Sequence, residues 1–335
     1  MNCSIFRVAT LCCSVCLSVA YAQEGPLPTP KRIFAAVLLH RGTAVGKHAG
    51  AFGVFVRTGD TTWTKVTLSN IISFGLGYFG NGSTPRYYLA GGNGVHRSTD
   101  GGNSWRMLTG WRTEEILCVV PDPVDSAVIY AATPFGVFKT TDDGATWVKK
   151  AKGFKKWFIQ RIIMDKTDRN VLYAASDDDL YRSTDAGEHW TPLHVGGPEI
   201  LALLQHPGHP EKLLAGHEDD GIKYSTDRGA TWRPARVPFA TSIYTFGASA
   251  DGSDLYAAGW KSGLWRSDDG GATWSQLWRA DGIEAIYSIF VDPENPAHLM
   301  AGTVGFGIFE SLDRGRTWRT AGLTGAQVKQ IELYP

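Results

Sequence analysis

Seven tryptophans, Trp63, Trp105, Trp147, Trp190, Trp232, Trp274 and Trp318, follow one another at intervals of 42 to 44 residues. A unit repeated at that length cannot bury its apolar face alone, so each copy must be covered by its neighbours. A period in the low forties suits one four-stranded sheet per unit, with the sheets set radially as blades. The spacing therefore predicts an all-β chain: a seven-bladed β-propeller with four-stranded blades.

Six of the tryptophans close a common box. It reads STDGGNSW at 98–105, TTDDGATW at 140–147, STDAGEHW at 183–190, STDRGATW at 225–232, SDDGGATW at 267–274 and SLDRGRTW at 311–318. Such a box has the chemistry of a turn. Its aspartate (Asp100, Asp142, Asp185, Asp227, Asp269, Asp313) is expected to accept hydrogen bonds from amides two or three residues on, with the Ser or Thr hydroxyl bonding the same turn. The glycine supplies a positive φ, and the tryptophan returns on the next strand to fill the space between sheets. A turn role accounts for all six aspartates at once, so they are read as structural rather than as metal or catalytic groups.

Upstream of each box, short β-branched and aromatic runs alternate with Gly- and Pro-bearing turns. First strands are expected at 116–120, 159–163 and 286–291, second strands at 128–132, 171–175 and 255–258, and third strands at 136–140 and 263–267. The first unit has its second, third and fourth strands at 31–39, 53–58 and 61–66, but no first strand. Residues 328–334 carry that missing pattern, so the C-terminal strand is expected to complete the N-terminal blade and remove the exposed edges.

The S/T-x-D-x-G-x-x-W pattern, six times in register, resembles the Asp-box (bacterial neuraminidase) repeat across nearly all of the chain beyond residue 22. The resemblance implies that ligands bind on the face away from the boxes. The chain is similar to the single-propeller photosystem II stability/assembly factor-like proteins and to sortilin-type propellers, which implies an interaction or assembly module. Sialidases share the box, but their six-bladed sites use an arginine triad, a tyrosine–glutamate pair and an acid. Their early Phe-Arg-Ile-Pro motif is replaced here by Lys31-Arg32-Ile33-Phe34. Xyloglucan-cleaving relatives face two propellers across a cleft, whereas this chain has one.

Residues 1–22 read as a secretory signal: Arg7, an apolar run too short to span a membrane, and the small-x-small site Ala20-Tyr21-Ala22. A short linker at 23–30 and one propeller at 31–335 would follow, secreted or periplasmic. Four of the five cysteines lie in the signal, and the remaining Cys118 has no internal disulfide partner. The 33 basic and 33 acidic residues balance, which speaks against a nucleic-acid binder. No cofactor or metal motif appears, and a monomer is expected.

Three features single themselves out on the face opposite the boxes. The segment after Trp147 interleaves Lys149, Lys150, Lys152, Lys155 and Lys156 with Phe154, Trp157 and Phe158. Carboxylates precede first strands at Glu115, Glu199 and Glu284, where they would ring the channel and, in an enzyme, act as a glycosidase pair. Arg161 stands out in the channel column Ser73, Cys118, Arg161, Ala202, Thr245, Ser288 and Gln330, and needs either a carboxylate or solvent. With Trp111 and Trp260 these residues outline a platform for a protein partner, or alternatively a glycan. The expected function is an interaction or assembly platform, with a carbohydrate-active enzyme as the alternative.

Overall fold

The computed structural model describes residues 31–40, 52–67, 71–80, 85–110, 115–238 and 241–334. The expected signal and linker, and Trp111, lie outside them. Among the described residues twenty-eight strands form seven antiparallel four-stranded sheets. The first strands contact one another in sequence around a full ring, and the fold is a closed seven-bladed propeller. No helix occurs among the described residues.

Second strands explain why the blades stack. Ile129–Thr133, Leu172–Ser176, Leu213–His217, Leu255–Gly259 and Leu299–Thr303 are buried along their entire length. Each lies between two neighbouring sheets, so apolar residues face both ways instead of alternating with polar ones. Their Ala-Ala or Ala-Gly centres keep the sheets close to their neighbours. A Cβ at Gly302 would stand 2.8 Å from Val328 of the closing strand, and one at Gly216 would stand 2.6 Å from Ile243. Seven apolar clusters fill the spaces between blades; one unites Tyr130 and Ala132 with Ile159, Ile162 and Leu172 of the next blade.

The ring closes as the sequence predicts. Ala326–Tyr334 pairs antiparallel with Arg32–His40, and is the innermost strand of the first blade. The adjacent blade holds it as well: Gln330 Oε1 accepts from Leu76 N at 2.7 Å, and Tyr334 stacks on Tyr78 at 4.9 Å.

All six box aspartates sit in turns, with one correction to the expected bonding. Asp142 Oδ1 accepts from the amide of Thr146, four residues on, at 2.8 Å, and Oδ2 accepts from the Thr146 hydroxyl at 2.6 Å. Asp100, Asp185, Asp227, Asp269 and Asp313 likewise accept from the amide four residues on, and Asp269 accepts in addition from the amide three residues on, as expected. Two consecutive positive φ values, 61° at Asp143 and 85° at Gly144, fold the chain back and bring that amide to the carboxylate. The Thr140 hydroxyl donates to Asp142 Oδ1 and accepts from Gly144 N. These bonds, the Thr146 side chain first, bring the Asp142 carboxyl down to about 2.

Candidate binding face and channel mouth

Box turns and the turns between first and second strands share one face. Backbone bonds tie them together, as from Asp143 N to Ala127 O and from Arg314 N to Ala297 O. The 2–3 loops and the 4–1 connections meet on the other face, where Glu115 N bonds Gly92 O and Lys261 N bonds Glu284 O. The non-repeated residues gather there.

The lysine–aromatic segment is anchored from beneath. Phe154 is buried against Tyr181 and Trp190, with ring centroids at 4.7 and 4.9 Å. Trp157, 55% exposed, and Phe158 are left facing outward. The lysines divide by role. Lys150 reaches Glu188 in the next blade at 2.7 Å, which makes it a tie between blades. Lys149 lies over the Trp157 ring at 4.2 Å, and Lys156 is 3.6 Å from Asp177. Lys152 and Lys155 are exposed, with no ion pair among the described residues. Trp260 is half-buried, held by a bridge to Ala285 and partly covered by Lys261.

Two adjacent 2–3 loops are acidic, Asp177-Asp178-Asp179 and Glu218-Asp219-Asp220, and several of their carboxylates are committed to local structure. Asp179 accepts from the amides of Leu180, His194 and Val195. Asp178 accepts from the Tyr181 hydroxyl, and Asp219 from that of Ser242. Among the described residues no group of three or more His, Cys, Asp or Glu could hold a metal ion.

On this face the channel opens as a cavity of about 390 Å³. Each blade contributes one residue from the start of its first strand: Phe74, Leu117, Gln160, Leu201, Tyr244, Tyr287 and Lys329. A β-bulge puts six of them there, all but Leu117. The pairing jumps from Ile159 to Arg161 against Ser176 and Ala175, so Gln160 is an extra residue. The same jump leaves out Phe74, Leu201, Tyr244, Tyr287 and Lys329 in their blades. Bulges re-aim a side chain out of the alternating pattern. Sequence reasoning examined the neighbouring column and missed this ring; the available signal was a first strand one residue too long for its partner. The pairing also corrects that column, because Gly75, opposite Ala90, holds the place assigned to Ser73.

Arg161 lines the cavity and has no hydrogen bond or ion pair among the described residues. Lys329 faces the same space, its Nζ 3.5 Å from the Tyr287 ring centroid. Burial, and next the charge of Arg161, bring the Lys329 amine down to about 8. Tyr287 stacks on Tyr244 at 4.8 Å. Glu218 is the carboxylate of the lining; Glu115, Glu199 and Glu284 are not part of it. Glu115 and Glu284 are exposed. Glu199 accepts from Gln160 Nε2, and burial raises its carboxyl despite that bond.

These observations define a seven-bladed β-propeller with structural turns on one face and an aromatic, cation-bearing mouth on the other. No family model and no curated relative matches the sequence. Among solved structures the chain is similar to a GH74 xyloglucanase from Xanthomonas campestris (TM-score 0.60, 19% identity, over 74% of this chain and 45% of that one). It is also similar to a GH74 enzyme from Niastella koreensis (TM-score 0.60, 18% identity, 88% and 47%). A third similar structure is YCF48 bound to D1 peptide (TM-score 0.58, 15% identity, 78% and 90%). The chain spans less than half the length of either GH74 enzyme. Likeness at these identities establishes the fold.

Proposed function

We propose that the chain is an exported interaction or assembly platform of the Asp-box type, which docks a protein partner on the face opposite the aspartate turns. One observation carries the reading: large apolar side chains on this face are left uncovered around the mouth. Phe135 and Phe306, at the tips of 2–3 loops, and Trp157, Phe158 and Ile72, in 4–1 connections, are all exposed. Exposed aromatics beside free lysines are the composition of an interface anchor with electrostatic steering. The similarity to YCF48, a protein solved with a peptide bound, supports the same reading. Cleavage after Ala22 belongs to the proposal, and N-terminal sequencing of exported protein tests it.

The docking test combines Trp157→Ala with Lys155→Glu and Lys156→Glu. Capture of a partner from the exported fraction should be lost at an unchanged melting temperature, and added salt should weaken capture by the unaltered protein. Unaltered capture by the folded triple variant sinks the docking face. The second reading, glycoside hydrolysis, draws on the raised Glu199 carboxyl, a property of general acids. It requires turnover in a glycan panel that disappears in Glu115→Gln, Glu199→Gln or Glu284→Gln.

A further inference from the structure

We propose that the channel mouth is a binding site for a monoanionic carboxylate attached to an aromatic or apolar body. Two cations enter the cavity from well-separated blades, Arg161 from the fourth and Lys329 from the first. Several covered cations elsewhere have carboxylate partners, as in Arg57–Glu310, Arg97–Asp143 and Arg266–Asp254, and others, such as Arg32 and Lys139, donate to backbone carbonyls. Arg161 and Lys329 have no ion-pair partner among the described residues, so the planar donor fork of the guanidinium and the ammonium both open onto the same space. A carboxylate matches that fork in geometry and charge.

The surrounding groups narrow the ligand further. Glu218 contributes one negative charge to the lining. Deeper in the channel Glu332, its carboxyl raised by burial, accepts from Gln330. Among the lining residues two cations face one carboxylate, and Arg161 also interacts electrostatically with Glu332, so the positive surplus is small and suits a monoanion over a phosphate dianion. The walls are the stacked Tyr244 and Tyr287 rings with Phe74 and Phe158, surfaces for a planar or apolar body. A volume of about 390 Å³ is that of a small-molecule site. The carboxylate has two possible sources, a free small acid or the end of a polypeptide. The site stands whether or not a protein docks on the outer face.

The test is calorimetric titration of the full chain with 3-phenylpropionate and, separately, with its uncharged primary amide. The acid should bind, and the amide should be weaker by about tenfold or more, because it lacks the charge that both cations recognise. Arg161→Gln and Lys329→Gln should each weaken the acid by about tenfold. A tripeptide Gly-Gly-Phe with a free C-terminus, compared with its amide, separates the sources. Tighter binding of the peptide acid than of the small acid assigns the site to chain ends, and the reverse order to free acids; either supports a carboxylate site. Equal binding of acid and amide overturns it, as does tighter binding of inorganic phosphate or no binding of either acid. So does full affinity in folded Arg161→Gln and Lys329→Gln proteins. The acid–amide contrast is read in unaltered protein, so a variant that fails to fold does not mask the result.

Discussion

Arg57 Nη1 donates to Glu310 Oε1 at 2.6 Å across the seam between the first and last blades. The Glu310 side chain is 2% exposed, and Arg319 and His298 bond the same carboxylate. At the residue before the box hydroxyl four of the other blades with a full box carry Arg97, Lys139, Arg182 and Arg266 and one carries Tyr224; the last blade carries Glu310. That reversal of charge supplies the seam with an ionic tie in addition to the shared sheet.

Glu310→Gln should therefore destabilise the protein by about 3 kcal/mol, because the covered Arg57 loses its buried counter-charge and the more exposed Arg319 loses its partner. Burial by itself would raise the Glu310 carboxyl, but hydrogen bonds from Arg57 and Arg319 outweigh it and bring it down to about 2. A depressed carboxylate contributes stability that is complete above its unfolded value near 4.5 and fades as pH falls toward 2. Urea titrations from pH 7 to pH 3 should show the gap between unaltered protein and variant narrowing as acid is added. A constant gap would mean that the tie contributes no charge-dependent stability.

Deleting residues 326–335 should remove the inner strand of the first blade and uncover the edge of Arg32–His40. An unpaired edge recruits other chains, so the truncated protein should aggregate or lose its cooperative transition. Melting at the temperature of the intact chain would contradict closure by this strand.

Asp142→Ala should lower the melting temperature while leaving affinity on the opposite face unchanged in molecules that remain folded. The Thr146 amide and hydroxyl lose their acceptor, but the blade's packing against its neighbours persists. Differential scanning calorimetry paired with a binding assay checks both halves. A variant of normal stability with impaired binding would move the turn from scaffold to site.

Lys329→Met should raise stability near neutral pH by about 1–2 kcal/mol, since a half-buried cation is replaced by an apolar chain of similar length. The charged and titratable groups that share the cavity with this amine are Arg161, Tyr287, Tyr244 and Glu218, while Glu332 interacts with Arg161. Its folded value, about 8, lies below the unfolded 10.5, so the unfolded chain binds more protons between those limits and stability rises with pH there. The advantage of the variant should accordingly be full below pH 8 and shrink toward pH 10. An advantage independent of pH would point to packing rather than charge.

The tryptophan period, the box and the displaced strand at 328–334 were legible in the sequence because each is a local pattern repeated in register. A turn such as 140–147 makes its bonds within eight residues, and a strand with both faces covered shows as an apolar run wherever it lies. Closure was legible for the same reason: one unit lacked a strand, and the far end supplied it. The mouth was not legible. Gln160, Tyr287 and Lys329 reach it through a bulge, which depends on how many residues the partner strand offers and so appears only in the pairing register. That register also exchanged Gly75 for Ser73. The two unpaired cations share one cavity, and Arg57 meets Glu310, because the ring returns its last strand to its first blade. Sequence periodicity determined how many blades there are and what each is made of. Which side chains face one another across the channel and the seam was decided by closure of the ring, which brings together residues far apart in the chain.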